Sequence, residues 1–512
     1  MTSAPTIPPP TTTGELGHRR LGVPSVTFMI IAASAPLTVV AGGVTTTFAV
    51  TGVIGVPLSF LLLAGALAIF AVGYAAMSRF VTNAGAFYAY IAQGIGRPFG
   101  VGASLVALVA YNAMQVGIYG LFGFQFSMFL EAKFGITTPW WLWILVCIVV
   151  VGVLGVNRVD LSAKVLGTLV ALEFVAVLVF DLVAIAVAPE GLSTEPLQPA
   201  NLFVPGVGAV FSFGIAAFMG FESAAIYGEE AKDPKRTVAR ATYSAVAIIG
   251  VFYAFSAWAF TVGIGPSQIV EAAATSGPDL MFVFMGEHAP MIISDIMQVL
   301  FLTSLFAALQ SFHNAVARYL YSLGREGVLH RGLGAVRAES RAPWAGSVTQ
   351  SIIAVIVTLG FVVAGEGLGL KSDFAPTEFL YPVLTMFTWL TNTGAMGLVL
   401  LMGIIAIAVI GFFRRDRRGV STWAAFVAPT IAAIILFTVF GLIVANFDVL
   451  LGQTEPSALT FVLPALLIVP GILGVVWAYV LRRRDPELYR RIGHGLEEAE
   501  AAVHEHEPHR GI

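Results

Sequence analysis

Long apolar blocks constrain this chain more than any other feature of it. Residues 56–77, 161–188 and 420–446 are examples, each long enough to cross a ~30 Å hydrocarbon core as a helix. Charged residues make up 11% of the 512 residues and hydrophobic ones 57%, whereas soluble domains carry about 25% charged residues. So few charges would not cover the surfaces of several soluble domains, and the expected fold is an all-α polytopic membrane protein. The net charge of −3, with no extended basic patch, argues against a nucleic-acid partner. Cys147 is the sole cysteine, so neither a disulfide nor a cysteine-rich metal site is expected.

The apolar pattern predicts twelve transmembrane helices at 26–48, 53–77, 98–130, 139–156, 161–188, 204–228, 238–263, 291–321, 346–364, 378–413, 420–446 and 459–481. With both termini cytoplasmic, all but two of the 27 Lys and Arg lie in or beside cytoplasmic segments. Lys133 and Lys371 fall outside. The positive-inside rule requires such an asymmetry, and an odd helix count would destroy it. Residues 1–25 read as a Pro/Thr-rich disordered cytoplasmic arm, 26–481 as the membrane domain and 482–512 as a cytoplasmic tail. The arm does not read as a cleaved signal peptide. The His/Glu alternation at 504–509 reads as solvated, with metal binding as the alternative.

Ionisable groups inside a span are costly, by about 2.5 kcal/mol or more at the helix centre, and each is therefore a functional suspect. Glu173 lies about 18 Å along the fifth helix, near the bilayer middle. A carboxylate there either holds a proton or has a cation beside it. Both conditions suit a proton or sodium carrier, and a neutral Glu bonded to nearby backbone is the bland alternative. Asp181 and Asp295 are expected close enough to the outer interface to reach water. His313-Asn314 suggests a proton relay or a contact to a cytoplasmic loop.

Two spans look interrupted. The first contains Ser34-Ala35-Pro36-Leu37-Thr38 and then Gly42-Gly43, where Pro36 removes a helix hydrogen bond. The sixth contains Phe218-Met219-Gly220-Phe221-Glu222-Ser223, with a glycine and an acid in an apolar run. Broken backbone at membrane depth is tolerated where it lines a cavity. Interruptions five spans apart point to an inverted-repeat transporter with its site at the breaks; packing kinks are the alternative.

The run from Phe218 to Val238 resembles the sixth helix and following loop of the APC (amino acid–polyamine–organocation) transporter family. Ser78-Arg79-Phe80 with Asn83 to Tyr90, and Arg318-Tyr319 with Gly324-Arg325-Glu326-Gly327, match it in order and spacing. Together the likeness spans about 26–480. It implies an amino acid permease with a five-plus-five inverted repeat, two extra C-terminal helices and alternating access. In such a protein the substrate carboxylate meets first-helix amides and the ammonium meets carbonyls of helices one and six, as half-helix ends favour. By position, Ser34, Ala35, Pro36, Leu37, Thr38, Phe218, Gly220, Phe221 and Glu222 would bind substrate. The usual Gly-x-Gly is replaced by Ala35-Pro36-Leu37, so Pro36 offers no N–H while the Leu37 and Thr38 amides are expected to be available. Ala216 stands where basic-amino-acid exchangers of the family carry Trp, which leans towards a neutral side chain.

Glu173 falls where some proton-coupled relatives carry Lys, and the implied coupling site is Glu173 with Ser304. The expected activity is import of an amino acid or related amine across the cytoplasmic membrane by H+ symport, with no cofactor. Exchange and Na+ symport are the alternatives, the latter because a carboxylate with hydroxyls and carbonyls makes an oxygen site. A membrane-embedded transferase is a remote one, since no catalytic or nucleotide motif is present. A channel would show charge rings or repeated filters. Tyr111, Asn112, Gln115 and Asn392 are candidates for substrate selection or for helix packing.

Overall fold

A computed structural model describes residues 22–81, 87–157, 163–221, 234–337, 342–453 and 456–493. Among them every regular element is a helix and none is a strand. The first apolar block is split into α1 (Val23–Ser34), a π-helical turn (Thr38–Val44) and α2 (Thr45–Thr51). The chain continues through α3 (Val56–Met77), the short α4 (Phe87–Gly94), α5 (Arg97–Phe134), α6 (Trp140–Asn157) and α7 (Ala163–Val187). Then come α8 (Pro199–Leu202), α9 (Val207–Phe218), α10 (Pro234–Ile264), α11 (Ile269–Ser276) and α12 (Leu280–His288). The remainder comprises α13 (Met291–Arg325), α14 (Trp344–Val362), α15 (Thr388–Arg415), α16 (Ala428–Ala445), α17 (Phe447–Leu450), α18 (Ala458–Arg484) and α19 (Pro486–Arg491).

Ten of the described helices are long and apolar enough to cross a membrane: α3, α5, α6, α7, α10, α13, α14, α15, α16 and α18. Among the described residues the first and sixth apolar blocks contribute no unbroken helix of that kind; Thr38–Thr51 and Val207–Phe218 are shorter apolar segments within them. Small residues allow tight packing of the long helices. A Cβ at Gly474 on α18 would lie 2.9 Å from the Gly102 Cα on α5. The broken first segment sits inside the bundle, with α1 packed against α10, α7 and α13.

The chain after the last span is folded where it is described. Leu488 of α19 and Ile492 join Tyr88, Val101, Leu323 and Val328 in a second apolar cluster at the basic ends of the spans. Arg97 Nη2 donates to the Arg490 carbonyl at 3.1 Å, and Gln93 Nε2 to that of Gly493 at 3.2 Å. Residues 482–484 therefore complete α18 and 485–493 pack back onto α4 and α5, while the arm at 1–21 and the His/Glu run lie outside the described residues.

Candidate functional site at the broken first helix

The first break is made at Ala35. Its φ is +48°, a left-handed conformation that costs an L-residue roughly 1–2 kcal/mol. Pro36 follows as the opening residue of the outer segment, where a missing N–H costs nothing, and the Ala35 carbonyl accepts from Val39 N at 3.0 Å. The wide π turn then leaves carbonyls that hydroxyls take up. Thr46 Oγ1 donates to Gly42 O at 2.6 Å and Thr47 Oγ1 to Gly43 O at 2.7 Å.

Side chains from three helices converge on this break. Leu37 N–H donates to Glu173 Oε2 at 3.3 Å, and Ser304 Oγ donates to the same oxygen at 2.8 Å. Ser304 has one hydroxyl proton and gives it to Glu173. The 3.0 Å contact between Thr38 Oγ1 and Ser304 Oγ is therefore donated by Thr38. The order is Thr38 to Ser304 to Glu173. All these groups are buried, with Glu173 only 2% exposed. Among the described residues no basic side chain forms an ion pair with Glu173, and the ion pairs described there join charges elsewhere: Lys133 to Asp295, Lys371 to Glu366 and Arg418 to Asp416. The Leu37 amide, expected to be available to a substrate carboxylate, is already bonded to the protein's own carboxyl.

On the other side of the break, Ser34 Oγ donates to Ile31 O at 2.8 Å and contacts Tyr253 Oη at 3.0 Å. The Oγ proton is thus committed to Ile31, and the Tyr253 hydroxyl is the donor towards Ser34, with Oγ at 3.0 Å and the carbonyl at 3.4 Å as acceptors. Tyr253 packs edge-on against Phe60, with ring centroids 5.5 Å apart, and within 6.5 Å of the Phe218 ring. Phe218 thus reaches the first helix through Tyr253, a residue that nothing in the sequence had marked.

The sixth helix ends at Phe218. Met219 is extended, and Gly220 has a φ of +111°, which a residue with a Cβ rarely adopts. Phe221 turns to a different neighbour, meeting Phe70 of α3 edge-on at 6.2 Å. From there an aromatic column runs through Tyr74 to Tyr90 on α4, at 5.5 and 5.0 Å. Glu222 lies outside the described residues.

One secondary reading needs correction. Asp181 does not reach water: it is fully buried, Ser256 Oγ donates to its Oδ2 at 2.8 Å, and Oδ1 has no partner among the described residues. The cause is coverage of that end of α7 by α10 and α12, whose Phe260 and Phe284 rings close on Phe180 at 4.7 and 5.7 Å. Among the described residues, the bonds of His313 join it to neighbouring helices. It is buried against α14, with Nε2 2.7 Å from Ser347 Oγ, and its Nδ1 is 3.4 Å from Gln115 Nε2. Gln115 also bonds Gln350 and the Leu309 carbonyl, so it joins helices. Asn112 and Asn392 each donate to a carbonyl one turn back, at 2.7 Å. The Tyr111 ring packs with those of Phe312 and Tyr319 at 6.2 and 5.7 Å. Asp295 pairs with Lys133 near the outer ends of their helices.

The sequence matches a family model described as amino acid permease over residues 21–473. The branched-chain amino acid permease BcaP of Lactococcus lactis is 28% identical over 337 residues, covering 60% of this chain and 69% of that protein. The L-asparagine permease of Salmonella typhimurium is 22% identical over 424 residues, covering 80% and 78%. In three dimensions the chain resembles the Eremococcus coleocola manganese transporter, solved in complex with an aromatic bis-isothiourea substituted compound. That match has a TM-score of 0.53 at 14% identity over 93% of this chain and 99% of the other. At such low identity the likeness concerns the fold alone.

Proposed function

The chain belongs to the amino acid permease family, and on that premise we propose that it imports an amino acid or related amine by proton-coupled alternating access, with Glu173 carrying the proton. The observation behind this reading is the buried Glu173 carboxyl, held by Leu37 N–H and Ser304 Oγ at the first-helix break. A buried carboxyl with no cationic partner is most stable with a proton on it. Deprotonation leaves an anion whose remaining donors come from the movable half-helix and from Ser304. Gain and loss of that proton would therefore change how tightly α7 and α13 grip the break, which is what coupling requires. The bundle is read as twelve spans, five plus five related by inversion with two added. Both termini face the cytoplasm, and the protein lies in the cytoplasmic membrane. The relatives named for branched-chain amino acids and for asparagine act on uncharged side chains, and the apolar Ala216 and Phe218 suit a neutral substrate here.

A sodium-coupled reading draws on the same cluster, because Ser304 Oγ lies 2.8 Å from Glu173 Oε2 and 3.0 Å from Thr38 Oγ1, and such oxygens would make an oxygen-ligand site. Uptake of labelled neutral amino acids into proteoliposomes separates the cases. An inward proton gradient without sodium should drive accumulation. Accumulation that requires sodium would replace the proton reading, and uptake only into substrate-loaded vesicles would make the protein an exchanger.

A further inference from the structure

Three arginines surround a cavity of about 270 Å³ at the basic ends of the spans, and neither the proposed transport cycle nor the packing of the bundle uses them all. Arg97 opens α5, Arg415 closes α15, and Arg418 follows in the next turn; Gln93 and Asp416 complete the polar side, and Ile492 is apolar. With three guanidinium groups against one carboxylate, the lining carries a net charge of +2. The volume is near the lower end of the ~300–1,000 Å³ typical of small-molecule sites.

Among the described residues, Arg415 and Arg418 are held in ways that leave N–H edges for a ligand. Arg418 is stacked over two rings, 4.9 Å from the Phe412 centroid and 5.1 Å from that of Phe80. Contact through the face of a guanidinium consumes none of its five N–H donors. Its only described ionic neighbour, Asp416, is 3.6 Å from Nε. Among the described residues Arg415 is fixed by one bond, Nη1 to the Gln93 carbonyl at 2.8 Å. Arg97 is steadied by the Arg490 carbonyl and lies over the Tyr489 ring at 5.6 Å. Arg417 points elsewhere, bonding Thr422 at 2.7 Å and stacking on Phe426.

Converging guanidinium edges match phosphate oxygens, often two at a time. Arg97 and Arg415 end membrane spans, which puts the cavity at headgroup depth, and basic pockets at that depth suit anionic lipids. We propose that this cavity is a phosphate site filled by the headgroup of an anionic lipid, tying α5, α15 and the returning C-terminal segment together at the membrane surface. A soluble phosphate has the same chemistry, and the test separates the two. The site does not depend on the transport mechanism above.

The test is thermal unfolding of the full chain in uncharged micelles, followed by tryptophan fluorescence. Phosphatidylglycerol, phosphatidylcholine, and inorganic phosphate at matched ionic strength are titrated separately. Phosphatidylglycerol should raise Tm saturably and phosphatidylcholine should not. Arg415→Gln combined with Arg418→Gln should lose at least half of that rise, and Arg417→Gln should keep it. Asp416→Asn, which removes the competing acid, should lower the half-saturating lipid concentration about two- to fivefold. This variant decides the matter if the double variant does not fold. Equal rises in all variants, or no rise in the wild type, would overturn the site. An equal saturable rise with inorganic phosphate would overturn the lipid as its occupant.

Discussion

Glu173→Gln separates structure from coupling at one position. The Gln side-chain oxygen can accept from Leu37 N–H and Ser304 Oγ as the Glu Oε2 does at 3.3 and 2.8 Å. If Glu173 is neutral in this conformation, two neutral hydrogen bonds replace two neutral ones and the stability cost stays below about 1 kcal/mol. Coupling is a different matter, because an amide cannot release a proton. For one-proton symport of a zwitterion, each imposed pH unit supplies about 1.4 kcal/mol, enough for tenfold accumulation. Each 100 mV supplies about 2.3 kcal/mol, or roughly fiftyfold. Wild-type proteoliposomes should therefore concentrate substrate about tenfold per pH unit at zero potential, while Glu173→Gln should only equilibrate it. Counterflow between loaded vesicles and medium should survive in the variant. A variant that still accumulates substrate in proportion to the pH gradient refutes the reasoning. So does one that loses counterflow, since Glu173 would then be needed for the site itself.

Other positions give independent checks. Gly220→Ala forces a residue with a Cβ to φ +111°, which should cost about 1–3 kcal/mol, seen as a lower Tm together with slower transport. Gly155→Ala would bring a Cβ to 2.7 Å from the His313 ring, and overpacking of that kind costs roughly 1–3 kcal/mol; thermal unfolding reads it, with little change in ion coupling expected. Glu326, just past α13, bonds the Tyr88 hydroxyl. Burial holds its carboxyl above the ordinary carboxylate range, against the opposing effect of that bond. The folded protein thus holds this proton more tightly than the unfolded chain. The resulting stability is full below the ordinary value and is lost as pH rises through the higher folded one. Glu326→Gln should flatten that part of the pH dependence of Tm, and an unchanged slope would exclude Glu326 as its source.

Much of this site was legible because the residues that break helices are few and chemically distinctive. Pro36 and Gly220 marked the first and sixth segments: the first is broken at Ala35, and α9 ends at Phe218, just before Gly220. Glu173 stood out as an acid in mid-span, and its partner Ser304 entered through the family likeness. What stayed hidden depends on facing. α7 is apolar nearly all round, so no amphipathic pattern tells which side Asp181 takes, and only packing by α10 and α12 reveals that it is sealed. Tyr253 was invisible for the same reason, as one polar tip on an apolar helix. The left-handed turn falls on Ala35, a residue with no preference for it; Pro36 announces a break but leaves the residue that bends unnamed. The capture of the Leu37 amide by Glu173 joins residues 136 apart in sequence, and no local pattern encodes such a pair.

The central claim is that a proton moves with the substrate through Glu173. The direct measurement is the pH inside proteoliposomes carrying a trapped dye, with the potential clamped at zero and no gradient imposed, while labelled substrate is added outside. The account predicts internal acidification that follows substrate entry, with a proton for each molecule, and none in Glu173→Gln. Substrate entry at an unchanged internal pH in the wild type would contradict it.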